Sequence, residues 1–282
     1  MNPEPSTEAH HGSADEAEAE ARDRAQAEVR RRFHLGLLAW AVGSVLLVLF
    51  TPLPLYQALG AAGFFLLFPA LGFAQLPLLA IERLERIPVY VGSIISILGL
   101  GALGLVLGLV VQTPAEFGLV GLPLVDFVLW TVGLTLATFV VILLFRPVEV
   151  RHPGPHSEFL RTLLPRTGRE KGVFAGLSLA AGVGEELAYR GYALQVVLLA
   201  GAGPWSAAIL SSLPFGALHS YQGAIGVLRT GAIGFLLAVP VIVTGSLLPS
   251  MAAHALIDLL VGLVFGPRLM QGLPETIDQA AE

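Results

Sequence analysis

A chain of 282 residues in which 55% of side chains are hydrophobic and only 13% charged is not that of a soluble globular protein, which carries roughly 25% charged residues. A net charge of −5 with no basic stripe argues against nucleic acid as a partner. Without cysteine there are no disulfides, haem-attachment motifs or thiolate metal sites. The composition instead predicts an all-α polytopic transmembrane bundle, with the lipid bilayer as its first partner.

Residues 1–32 hold 8 of the acids and 5 of the arginines and show no apolar periodicity. They predict a disordered acidic, Ala-rich tail, helical only toward its end. His10 and His11 read as incidental tail residues. Beyond Arg32 the sequence falls into apolar runs of about 20 residues, the length that spans a bilayer as helix. Eight helices are predicted near 34–52, 56–80, 89–112, 121–145, 172–200, 204–219, 222–246 and 248–266, punctuated by proline and glycine. Pro214 and Pro240 predict kinks in the sixth and seventh.

Basic residues orient the bundle. Arg30 to Arg32, Arg83 and Arg86, the run from Arg146 to Lys171, and Arg268 all fall at one set of alternate connections. The other set (TPLPLY, QTPAEF, GAGPW, LLPS) has no Lys or Arg. Both termini are therefore expected in the cytoplasm. The implied organisation is a tail at 1–32, scaffold helices at 33–146, a basic cytoplasmic loop at 147–171, catalytic helices at 172–266 and a C-terminal tail at 267–282.

Polarity is uneven between the halves. The first four spans hold almost no internal ionisable group; Asp126 lies near an end, and Glu116 in a connection. The last four carry Glu185, Glu186, Arg190, His219, Arg229, His254 and Asp258. Ionisable groups at membrane depth are costly and mark function by default. In AGVGEELAYRGYALQ, Glu186 and Arg190 stand at i,i+4 and can pair, while Glu185 points about 100° away. The pair also has a plain structural use, fixing helix packing. LPFGALHS puts Phe215 and His219 on one face, with Phe215 expected to pack, and SMAAHALIDLL does the same for His254 and Asp258. Arg229 is expected to snorkel to headgroups, and Tyr189 to hydrogen-bond Glu185.

Such a set suits peptide hydrolysis. Glu185 can act as general base on a water held by a histidine, and a second histidine can stabilise the oxyanion. Alternatively Glu185, His219 and His254 could hold a divalent metal such as zinc that activates the water. No H-E-x-x-H, G-x-S-G or G-x-G-D motif competes. A proton-coupled transporter would be expected to show repeat symmetry and polar groups in both halves, and this chain has neither.

The ordered set E-E-x-x-x-R, F-x-x-x-H, H-x-x-x-D over roughly Gly172–Phe265 resembles the CPBP family, the CAAX prenyl protease type II-like intramembrane endopeptidases. The resemblance implies that Glu185 activates the water with His219, that Glu186 and Arg190 support them, and that His254 and Asp258 serve the oxyanion. The eukaryotic enzymes have Asn at the last position, whereas Asp resembles many bacterial members. It also implies a membrane-associated peptide or protein substrate. A non-proteolytic binding or immunity protein of the same fold is the alternative. The Ala/Gly/Arg-rich composition suits a multi-pass protein of a prokaryotic plasma membrane.

Overall fold

The computed structural model describes residues 7–79, 85–152, 161–269 and 271, and every regular element among them is helical. Eight rods follow in chain order. The first, α1, is Thr7–Phe50. Next come α2, Leu55–Leu78, π-helical at Gly63–Leu67, then α3, Arg86–Leu109, and α4, Leu124–Arg151. The α5 rod joins Gly168–Glu186, a π-helical stretch Leu187–Ala193 and Leu194–Leu199. It is followed by α6, Pro204–Leu218, a tight turn at Ser220–Gln222 and α7, Gly223–Thr244. The last rod, α8, runs Leu248–Leu269, with a π-helical stretch at Val261–Phe265. The Arg83 position and the expected tail beyond residue 271 lie outside the described residues, as do the side chains of His10 and His11.

Six rods are long and apolar enough to cross a membrane. The two that are not are α5, which carries the site's charges, and α6, whose 15 residues reach roughly 22 Å at 1.5 Å per residue. Large apolar side chains on α1 and α4 face outward, Leu49 and Leu144 each with 68% of their surface free. Such faces need lipid. The protein is an integral, multi-pass membrane protein.

Two ends differ from the sequence expectation. Residues 7–32 are drawn into α1, because Ala, Glu and Arg favour helix and Glu28 pairs with both Arg31 and Arg32 at 2.8 Å. The α5 rod starts at Gly168 because Thr167 and Glu170 form a reciprocal capping box, which satisfies backbone N–H groups that the first turn leaves orphaned.

The α5 rod is central. Ala188 to Leu194 are buried without a break, as expected of a helix enclosed on all sides. Glycine makes this possible. An added Cβ on Gly101 would lie 2.6 Å from the Gly184 Cα, which brings α3 and α5 backbones together. One on Gly182 would lie 2.6 Å from the Met251 carbonyl oxygen and 2.8 Å from the Ala255 nitrogen, on α8. The seams therefore set α5 between α3 and α8 at backbone distance, and the α8 seam falls one turn before Glu186. Around α5, Phe64, Tyr189 and Phe215 meet edge to face. Phe117, from the α3–α4 connection, is wholly buried against Gly108 and Gly191.

Candidate active site

Glu185 and Glu186 close the α-helical part of α5, and Tyr189 and Arg190 follow within its π-helical stretch. Stretches of this kind recur at functional sites. Glu186 is fully buried and its Oε1 accepts from Arg190 Nη1 at 2.9 Å. The same oxygen accepts from His254 Nδ1 at 2.8 Å. A carboxylate paired with arginine can only accept, so His254 carries its proton on Nδ1 and turns Nε2 to the other side of the ring. Arg190 also donates through Nη2 to the Gly234 carbonyl at 2.9 Å, and its guanidinium lies 4.1 Å over the Phe215 ring. This guanidinium therefore has a carboxylate, a carbonyl and an aromatic face.

On the far side of His254, Nε2 is 3.9 Å from Glu185 Oε2 and 3.8 Å from Asp258 Oδ2. Neither distance is that of a direct hydrogen bond. Glu185 Oε2 is buried and has no hydrogen-bond partner. Asp258 is the most open of the set, with 37% of its side chain exposed against 12% for Glu185 and 10% for His254. Three carboxylates thus surround one imidazole.

His219 caps the end of α6. Its Nδ1 meets the Phe215 carbonyl oxygen at 2.9 Å; a carbonyl accepts, so Nδ1 donates and Nε2 keeps a lone pair. Its ring lies 5.1 Å from that of Phe215, which in turn is 6.1 Å from His254. Phe215 is the wall that Arg190, His219 and His254 share. His219 meets His254 across that wall, their rings 5.1 and 6.1 Å from it. No hydrogen bond or ion pair joins it to Glu185 among the described residues. Nor does any group of three or more His, Asp or Glu side chains there form an arrangement that could hold a metal ion.

The structure thus gathers Glu185, Glu186, Arg190, His254 and Asp258 from α5 and α8, with His219 at the end of α6 beside them. Two expectations are corrected. Arg229 does not snorkel free: it pairs with Glu149 of α4 at 2.6 Å and donates to Gln222 Oε1 at 2.8 Å. The Tyr189 hydroxyl is buried and unpartnered and makes no bond to Glu185, because its ring is held in the Phe64–Phe215 stack. Glu149 and Gln222 escaped the sequence reading, because Glu149 fell within the expected cytoplasmic loop at 147–171 and Gln222 carries no charge.

Fold and site together define a multi-pass membrane protein with a polar constellation enclosed by its helices. Residues 170–260, about a third of the chain, match the family model described as Type II CAAX prenyl endopeptidase Rce1-like. That segment is CAAX-protease-like, and it contains all six residues of the constellation. No curated protein and no solved structure matches the chain.

Proposed function

We propose that the protein is an intramembrane endopeptidase that cleaves a membrane-associated peptide or protein with a water activated by Glu185. The observation that carries this reading is the buried, unpartnered Oε2 of Glu185, 3.9 Å from an imidazole nitrogen that a second glutamate orients. A buried carboxylate oxygen without a partner carries its full desolvation cost, and a water between Glu185 and the histidines would relieve it. In the reaction, Glu185 takes a proton from that water and the resulting hydroxide bonds to the scissile carbonyl carbon. His219 Nε2 holds the water, and His254 Nε2, when protonated, donates to the carbonyl oxygen as charge collects there. The C–N bond then breaks and Glu185 returns its proton to the leaving amine. Glu186 and Arg190 orient His254. Asp258 shares the oxyanion side with His254. The alternative expected from the sequence, a divalent metal such as zinc on Glu185, His219 and His254, finds no ligand arrangement to support it among the described residues, and exhaustive chelation, expected to leave turnover intact, is its test.

The test is cleavage of membrane-embedded peptides by the purified protein in lipid, wild type against Glu185→Gln. Loss of the base should lower turnover by roughly 10²–10⁴-fold with melting temperature held. Peptides bound by both proteins and cut by neither would replace the protease reading with the binding or immunity one. Comparison of membrane proteomes with the two forms would then name the substrate.

A further inference from the structure

The turn that follows His219 is tied down by a polar network from outside the motif residues. Gln222 is its centre. Its backbone N–H donates to the His219 carbonyl at 2.9 Å, and its side-chain Nε2 donates to the Tyr221 hydroxyl at 3.3 Å. Its Oε1 accepts from Arg229 Nη2 at 2.8 Å and from Thr230 Oγ1 at 3.2 Å. Arg229 and Thr230 lie two turns along α7. The other arm of the guanidinium, Nη1, is held by Glu149 of α4 at 2.6 Å. Both charged side chains are mostly enclosed, at 18% and 21% exposure. Two glycines make room: Gly223 takes φ +78°, a conformation that other residues adopt only with strain, and a Cβ on Gly226 would collide with that of Gln222.

A surface ion pair would not need such an arrangement. Here a forked cation joins a carboxylate on one rod to the side chain of a residue whose backbone N–H is bonded to the histidine's own carbonyl. Among the described residues the His219 side chain has one polar anchor, the Phe215 carbonyl. That bond fixes a ring nitrogen, and the turn beyond it is held through Gln222.

We infer that Arg229 is a positioning residue which, through Gln222 and braced by Glu149, holds the His219 imidazole at the reacting centre. The inference rests on the endopeptidase reading for its kinetic arm and on geometry alone for its spectroscopic arm. The α4 rod thereby becomes part of the active site without touching substrate.

The test uses full-length protein in lipid nanodiscs with labelled histidine. The His219 and His254 ring signals are assigned by their loss in His219→Gln and His254→Gln. Arg229→Met should move the His219 signal and leave His254 unmoved. It should lower kcat by roughly 10- to 100-fold, the scale of an ångström of misplacement, with KM unchanged. Arg229→Lys keeps the pair with Glu149 but cannot fork to Gln222, so it should recover part of the loss. Gln222→Leu leaves the ion pair intact and should reproduce the His219 shift, which keeps the test open if Arg229→Met does not fold. An unmoved His219 signal in Gln222→Leu, or both histidines shifting together, would overturn the inference. A wild-type protein that cuts nothing would remove the endopeptidase reading alone, with the two ring signals still deciding the positioning role.

Discussion

Glu186 Oε1 receives Arg190 and His254 at once, so charge balance and histidine orientation meet on one atom. Arg190→Ala leaves Glu186 buried with only His254 and removes a donor from the Gly234 carbonyl. Breaking a buried pair this way costs about 3–5 kcal/mol, and thermal unfolding in detergent should show a matching drop together with lost cleavage. Asp258→Asn asks a different question. If residue 258 only donates at the oxyanion, asparagine supplies the donor without needing a proton, and turnover in the peptide assay should survive. If it is an acid–base group or a metal ligand, turnover should vanish. Activity that persists after exhaustive chelation and in Asp258→Asn would remove the metal route; loss on chelation, restored by one ion, would establish it. At this scale the motif residues were legible because ionisable groups are expensive at membrane depth, and six of them stood out against apolar sequence. Gln222 was not legible, since an amide draws no such attention. The partner of Arg229 lies 80 positions away, beyond any spacing argument within one helix.

Between elements, the narrowest tolerance lies at the glycine seams. Gly182→Ala must separate α5 from α8, since the obstacles are backbone atoms at 2.6 and 2.8 Å that cannot rotate aside. Overpacking of this kind costs about 1–3 kcal/mol. It should also stretch the Glu186–His254 bond, so cleavage should fall further than stability does. Gly176→Ala is the control: its Cβ would meet only an Ile94 methyl at 3.9 Å, and both measurements should stay at wild-type values. The start of α5 adds a pH dependence. Backbone N–H groups of Thr167 and Arg166 donate to the Glu170 carboxylate and hold its pKa below the ordinary value. A depressed pKa contributes stability above the ordinary carboxylate range and loses it as pH falls through the folded value. The protection of first-turn amides in α5, taken relative to their intrinsic exchange rates, should therefore fall toward acid, and Glu170→Gln should abolish that step. All eight rods could be read from proline, glycine and run length. The π-helical stretches could not, because a one-residue widening leaves the apolar pattern of an enclosed helix unchanged. The upstream reach of α1 was missed for a related reason, as charged helix without an apolar stripe resembles a coil in sequence.

Across the whole molecule, the half that is poor in ionisable groups is not a passive frame. Tyr192 of α5 donates to the Gln57 carbonyl at 3.3 Å, and the Gln57 amide donates to Leu107 of α3 at 2.8 Å. The Leu247 N–H reaches the Gly118 carbonyl at 2.8 Å, and Glu149 holds Arg229. The halves are bonded at several levels. The distribution of basic residues predicts both termini in the cytoplasm, so reporter fusions after Pro114 and after Gly203 should read as external; a cytoplasmic signal from either would reverse that orientation. One consequence concerns time rather than geometry. A peptide must leave its own helical hydrogen bonds to be cut, and the bundle must loosen somewhere to admit it. The carboxylate rod is the worst candidate, clamped by backbone on two sides, so deuterium should enter Gly182 to Arg190 among the last amides of the protein. Entry should depend on the turn at Ser220 to Gly223, where hydrogen bonds from three side chains can open and reclose without separating any glycine seam. The base that performs the chemistry, Glu185, would then sit in the slowest part of the molecule, and the rate of admission would be written a few residues beyond His219.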